Sequence, residues 1–210
     1  MISKYDQEYF ESPSYQYSQR KKEVAANFLR DFSYVSTNYV DIRDGKGKIS
    51  LDVGCAYGYI LRVLQKFGYK TFGTDVSMHA LKIAGKIAGK DSVLILHDAK
   101  KPFPFKMNFD LLTCFEVLEH LKEPELAIKN CFEALKPKGV FLASTPNKRT
   151  PLAHFFDKDY THLSLKYPWQ WRKALKKFNW SMVKMFFVER NGRIHRLPVY
   201  GSIRLFAQKR

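Results

Sequence analysis

Three sets of residues in this chain have types and spacing suited to chemistry. The first is the stretch Ile49-Ser50-Leu51-Asp52-Val53-Gly54-Cys55-Ala56-Tyr57-Gly58. Ile49, Leu51 and Val53 suit a buried strand, and Gly54 and Gly58 permit torsions and close approaches that a side chain forbids. Asp52 stands just before the first glycine, where a carboxylate repels a pyrophosphate and welcomes a cation. The second set is two acids further along. Asp75 lies about twenty residues beyond the loop, the distance at which a carboxylate accepts ribose hydroxyl protons, and Asp98 follows the next apolar run. The third set is Glu116-Val117-Leu118-Glu119-His120 together with Asp159-x-x-His162, which offers acids and imidazoles for proton transfer or for ligation.

Spacing separates the cofactors such a loop could hold. Nicotinamide and flavin sites want G-x-G-x-x-G with the pyrophosphate on a helix N-terminus. Here the order is Gly54, Ala56, Gly58, and the position three after Ala56 is Tyr59. S-adenosylmethionine has an ammonium, a sulfonium and no phosphate, so it suits Asp52. The segment resembles the first motif of the class I S-adenosylmethionine-dependent methyltransferases, D-x-G-x-G-x-G, and the small-molecule, ubiquinone-pathway-like branch is the nearest in character. Ala56 stands where that family more often has its middle glycine.

The resemblance implies residue roles. Asp52, Gly54, Cys55, Ala56 and Gly58 would hold the methionine end, Asp75 and Val76 the ribose side, and Asp98-Ala99 the adenine. Phe115 and Glu116 would wall the site. Glu116 to His120 resembles the family's E-V-L-E-H segment, which has two readings. In ubiquinone-pathway O-methyltransferases and small-RNA 3′-terminal 2′-O-methyltransferases the acids and the histidine bind a divalent metal, which orients hydroxyls and lowers their pKa. In other relatives the same letters make structural hydrogen bonds near the cofactor. Three candidate ligands in one segment do not complete a site, so no resident metal is expected and a divalent ion is the alternative. His162 and His120 are the candidate catalytic residues, with His162 suited to act as a general base toward a hydroxyl.

Elements that position these residues follow from periodicity. Lys21 to Phe32 reads as a helix with Val24, Ala25, Phe28, Leu29 and Phe32 on one face, after a tail bearing Tyr5, Tyr9, Phe10, Tyr15 and Tyr17. That tail either covers the cofactor, as in many members of the resembled family, or packs loosely. Helices are expected at Tyr59 to Phe67, after Ser77 as N-cap in a segment carrying Met78, Leu81, Ile83, Ala84 and Ile87, at Glu123 to Leu135 with Leu126, Ile128, Phe132 and Leu135 among its apolar positions, and at Pro168 to Phe178. Strands are expected at 49–53, 69–75, 92–96, 109–115 and 140–144, with a closing pair at 180–188 and 202–207. Lys136-Pro137-Lys138-Gly139 reads as a helix stop. Alternating strands and helices call for an α/β, doubly wound, mostly parallel sheet with helices on both faces. The resemblance makes it seven-stranded with the last strand antiparallel. The expected organisation is an N-terminal helical cap segment over 1–48 and a methyltransferase domain over 49–210, with residues 146–167 forming a lid that includes His154, Phe155, Phe156, Asp157 and Tyr160.

Composition bounds the rest. At 210 residues and 45% hydrophobic, the chain can bury a sizeable core. Cys55, Cys114 and Cys131 make no metal-type pair, which suggests buried free thiols and a cytoplasmic location, and no run approaches a membrane span. The net charge is +16, and from Lys166 onward the only acid is Glu189. An anionic acceptor or an RNA backbone would suit that asymmetry, and so would solvated surface faces. The leading expectation is O-methylation of a small molecule. The alternatives are a metal-assisted RNA 2′-O-methyltransferase and a basic RNA-binding protein with an inactive methyltransferase fold.

Overall fold

A computed structural model describes residues 5–13, 15–148, 159, 161–189, 191–196 and 201–210. Of the segment expected to form a lid, residues 149–158 and Tyr160 lie outside the described residues, as does Arg190. The chain divides into two units, Met1–Ala99 and Lys100–Arg210, taken here in turn.

In the first unit, β1 (Ile49–Val53), β2 (Lys70–Asp75) and β3 (Ser92–Leu96) pair in parallel in the order β3-β2-β1. Register runs from Ile49↔Lys70 to Val53↔Thr74 on one side of β2 and from Thr71↔Ser92 to Asp75↔Leu96 on the other. The carboxyl ends of the strands, where α/β sheets bind ligands, therefore line up. Five helices were foreseen in the whole chain, and this unit holds three of them as well as a short one at its start. They are α1 (Gln7–Phe10), α2 (Lys21–Asn38), α3 (Tyr59–Lys66) and α4 (Met78–Ala88). Helix α3 buries Ile60, Leu61, Val63 and Leu64, as its period predicts. Gly73 lets β2 meet this layer, because a Cβ there would come within 2.9 Å of Cys55 Sγ, Leu61 and Leu94. Ser77 caps α4 by accepting from Ala80 N–H at 3.1 Å.

One helical face differs from the expected one. α2 runs six residues past Phe32 and buries Phe28, Asp31, Phe32, Val35 and Ser36, whereas Leu29 is exposed. A longer helix with its contact stripe on 28, 32 and 35 turns Leu29 to the rim. Met78 is half exposed because it occupies the first turn of α4, before the helix settles on β2 and β3.

The second unit orders its strands β4-β5-β8-β6-β7: β4 (Phe109–Phe115), β5 (Leu135–Pro146), β6 (Trp180–Val188), β7 (Ile194–His195) and β8 (Ser202–Lys209). β4 and β5 are parallel, and β8 lies antiparallel between β5 and β6. The last strand is thus antiparallel as expected. The eighth strand is the two-residue β7, paired with the end of β6. Helices α5 (Pro124–Ala134) and α6 (Pro168–Leu175) cover these strands, each opened by a proline, whose missing N–H would be unpaired there in any case.

The segment Lys136-Pro137-Lys138-Gly139 follows the end of α5 at Ala134, as expected of a helix stop. It forms the distorted start of β5, with a register shift against β4 between Phe109 and Leu111 and a positive φ of 64° at Lys138. Leu126 is 40% exposed, since Ala127, Ile128, Asn130 and Cys131 form the inward face of α5. Arg172, Lys173, Lys176 and Lys177 are exposed along one side of α6 and its end, while Trp171, Ala174 and Leu175 are buried. All three cysteines are free and buried. Among the described residues no helix is long and apolar enough to cross a membrane.

Candidate active site

In the first unit, β1 delivers Asp52, 2% exposed, into a loop held by backbone hydrogen bonds. Gly54 and Cys55 N–H both donate to Thr74 O, at 2.7 and 3.0 Å, and Gly58 N–H donates to Cys55 O at 2.8 Å. The loop needs left-handed torsions at Gly54 (φ 72°), Ala56 (φ 45°) and Gly58 (φ 77°). A Cβ at Gly58 would also lie 3.2 Å from Ala84 Cβ, so α4 would have to give by a few tenths of an ångström to admit one. Ala56 adopts the same torsion as the glycines around it, with its methyl group in place, and this is the departure from the motif noted above.

Asp75 closes the loop. Its Oδ2 accepts from Ala56 N–H at 2.8 Å and its Oδ1 from Ser77 N–H at 2.8 Å. Burial raises its pKa while the backbone amides oppose the rise. The carboxylate therefore pins the loop whether or not it also meets a ribose. Val76, next to it, is 38% exposed. His97 N–H donates to Asp75 O at 2.8 Å, which brings half-buried Asp98 and buried Ala99 beside the end of β2. Burial pushes the Cys55 thiol well up, so this residue offers backbone rather than a nucleophile.

The N-terminal aromatic residues pack on this loop. Phe10 sits 5.1 Å from the Tyr57 ring, and Tyr17 stacks on Tyr59 at 5.4 Å. The Tyr57 hydroxyl donates to Glu11 at 2.6 Å and lies 3.2 Å from His79 Nε2. Burial opposes ionisation of Glu11, but the hydroxyls of Ser18 and Tyr57 hold its pKa below the usual range. Sequence reading did not foresee the Glu11–Tyr57–His79 group, because its members are 46 and 22 residues apart and only the fold joins them.

The second unit holds the acid–histidine group at the carboxyl end of β4. Phe115 is half-buried and Glu116 exposed, with φ 54°. Glu116 N–H donates to Ser144 Oγ at 3.1 Å, and that hydroxyl donates to Glu116 Oε1 at 2.6 Å. A turn of 3₁₀ helix, Leu118–His120, then buries Glu119 completely. The carboxyl lies near Glu116 and the Thr145 hydroxyl, with no well-formed hydrogen bond to either of its oxygens among the described residues. Burial, then the Glu116 charge, push its pKa well above the usual carboxylate range.

The backbone of Glu119 also places the histidine of the other segment. Its carbonyl accepts from Leu163 and Ser164 N–H at 2.7 and 2.8 Å. That anchor sets the His162 ring 4.8 Å from His120, with His162 Nε2 3.6 Å from Asp159 Oδ2. His120 is pushed down to about 4 by burial and by His162. One ligand atom each from Glu119, His120 and His162 lie within 4.8 Å of one another. A buried carboxyl and two imidazoles are a donor set that fits a divalent cation. The two predicted catalytic histidines, 42 residues apart in the chain (162 − 120 = 42), are thus brought together. The contributions of Thr161 and Ser144 were missed. Asp159-x-Thr161 is a turn signature visible in the sequence, whereas Ser144 carried no signal of its own.

A parallel α/β sheet with a left-handed glycine loop after β1 and acids at the ends of β1 and β2 defines a class I S-adenosylmethionine-dependent methyltransferase fold. Residues 18–185 match the family described as "Methyltransferase domain", and the chain belongs to it. It is 36% identical over 106 residues to the ubiquinone biosynthesis O-methyltransferase of Coxiella burnetii, 49% of this chain and 45% of that protein. It is 30% identical over 154 residues to the protein of the same name from Pseudomonas paraeruginosa, 70% of this chain and 64% of that one. The chain therefore spans about half the length of the first of these relatives. The magnesium protoporphyrin IX methyltransferase of Synechocystis PCC 6803, solved with bound S-adenosylhomocysteine, shares the fold with a TM-score of 0.69 at 17% identity, over 97% of each chain. The cofactor of the family is S-adenosylmethionine.

Proposed function

We propose that this chain transfers a methyl group from S-adenosylmethionine to a hydroxyl of a small-molecule acceptor. The observation that carries this reading is the His120–His162 pair beside the buried Glu119 carboxyl, a group suited to taking a hydroxyl proton. The sequence likeness to O-methyltransferases of ubiquinone biosynthesis supports an oxygen acceptor.

In this mechanism the first unit binds the cofactor. Asp52 faces its cationic end, the Gly54–Gly58 loop admits it closely, Asp75 and Val76 meet the ribose side, and Asp98-Ala99 the adenine. The acceptor oxygen attacks the methyl carbon in line, the O–CH₃ bond forms as the S–CH₃ bond breaks, and S-adenosylhomocysteine leaves. His162 takes the hydroxyl proton. Alignment of oxygen and methyl supplies most of the acceleration. Glu119, His120 and His162 would hold a divalent cation if one binds, and it would lower the pKa of the acceptor hydroxyl.

The test is transfer of label from methyl-tritiated S-adenosylmethionine to a panel of phenols, catechols and aliphatic alcohols, with amines, thiols and an RNA oligonucleotide included. Label in a hydroxyl compound, lost in His162→Ala, is the expected result. Label confined to amines or thiols would overturn the oxygen acceptor. Label in the terminal ribose of the RNA would instead favour the RNA 2′-O-methyltransferase reading, to which the exposed basic side of α6 lends support.

A further inference from the structure

Thr161 is 1% exposed, and its hydroxyl touches two groups at once. It donates to Asp159 Oδ1 at 2.5 Å and lies 2.7 Å from His120 Nδ1. A hydroxyl has one hydrogen, and the carboxylate can only accept. The Thr161 hydrogen is therefore directed at Asp159. Toward His120 the hydroxyl oxygen can only accept, so Nδ1 must carry the imidazole proton. The neutral ring is then the Nδ1–H tautomer, with its lone pair on Nε2.

We infer that Asp159 and Thr161 are positioning residues that fix His120 as the Nδ1–H tautomer and so present its Nε2 lone pair in the Glu119–His162 group. The relay is built by local backbone geometry. Thr161 N–H also donates to Asp159 Oδ1 at 2.9 Å, and His162 N–H donates to Asp159 O at 3.1 Å, closing a tight turn. The same few residues are clamped to the Glu119 carbonyl through Leu163 and Ser164. The turn therefore carries three things together: the hydroxyl that orients His120, the acid that orients the hydroxyl, and the second histidine. Orientation of an imidazole through a hydrogen bond at its other nitrogen is the way proteins select which nitrogen takes a proton or a ligand.

The inference rests on the methyl-transfer reading for its purpose, but its first test does not depend on any acceptor. Nitrogen-15 NMR of the histidine side chains, on the full chain at neutral pH, distinguishes the two tautomers directly. The expected wild-type signature for His120 is a protonated Nδ1 and an unprotonated Nε2. An Nε2–H signature in the wild type overturns the inference by itself, with no variant required. Thr161→Val removes the hydroxyl at nearly constant shape and should release the ring toward the Nε2–H form, while Thr161→Ser keeps the wild-type signature. An unchanged tautomer in a folded Thr161→Val protein also overturns it.

With a methyl acceptor in hand, Thr161→Val should lower kcat roughly ten- to a hundred-fold, the usual loss for an orienting partner. The KM for S-adenosylmethionine should not move, and Thr161→Ser should restore most of kcat. A drop in cofactor affinity in place of kcat would mean that Thr161 merely supports the fold. If the label goes to nitrogen but the Nδ1–H tautomer stands, the oxygen acceptor fails and the positioning of His120 survives.

Discussion

Replacing Asp75 by Asn should destabilise the protein even with no cofactor present. The two carboxylate oxygens each accept one backbone N–H at 2.8 Å, from Ala56 and from Ser77. An asparagine keeps one acceptor and turns an NH₂ toward the other amide, so one donor loses its partner. A hydrogen bond to a charged group contributes about 1.5–3 kcal/mol. Burial disfavours the Asp75 charge, and a neutral amide escapes that cost, so the low half of the range applies, about 2 kcal/mol. For a chain of this length the corresponding fall in Tm is roughly 4–8 °C. Urea unfolding of the cofactor-free protein measures the loss as a lower midpoint at unchanged m. A residue that served only the ribose would leave cofactor-free stability untouched. An Asp75→Asn protein within about 0.5 kcal/mol of the wild type, the usual scatter for an inconsequential substitution, would refute the pin.

Other outcomes follow from the same geometry. Ala56→Gly removes a side chain from a left-handed torsion of φ 45°, which costs about 1–2 kcal/mol, and adds about 0.5–1 of backbone entropy, so thermal unfolding should show a small gain with cofactor binding retained. Tyr57→Phe deletes the 2.6 Å bond to Glu11 and should cost about 1–2 kcal/mol, with faster limited proteolysis before Tyr17 than in the wild type. An unchanged cleavage rate would detach Tyr57 from holding the N-terminal segment. Glu119 keeps its proton in the native state at pH values where the unfolded chain has lost it. Its contribution is therefore complete below the ordinary glutamate pKa and is lost as pH rises from there through the raised native value. Glu119→Gln lacks that titration, so the wild type should lose stability relative to it with rising pH, and a pH-independent difference would contradict the burial argument.

Much of the scaffold was legible because its signals are periodic and local. The apolar run Ile49–Val53 with its glycines, the face of α3 and the Ser77 cap each carry their reason within a few residues. Leu29 was misplaced because a helical period gives the width of an apolar face, while the neighbouring layer decides where its edge falls. Lys136–Gly139 was legible as the end of a helix but not as the start of a strand. Proline and glycine end helices, yet a proline is also tolerated where a strand is irregular, and β5 begins with such an irregularity. In the site, Asp52, Asp75, His120 and His162 stood out by type and spacing. Thr161 did not, since a threonine gains its meaning here only from the 2.7 Å approach of an imidazole 41 residues away. Glu11 and His79 were hidden in the same way, behind a tyrosine hydroxyl that only the folded loop brings between them.

Calorimetric titration of the protein with S-adenosylmethionine, with S-adenosylhomocysteine beside it and NAD as the control, tests the central claim most directly. Binding of both sulfur compounds at the same single site, abolished by substituting Asp52 and absent for NAD, is the predicted result. Binding of NAD in their place, or of none of the three by the folded protein, would contradict the account.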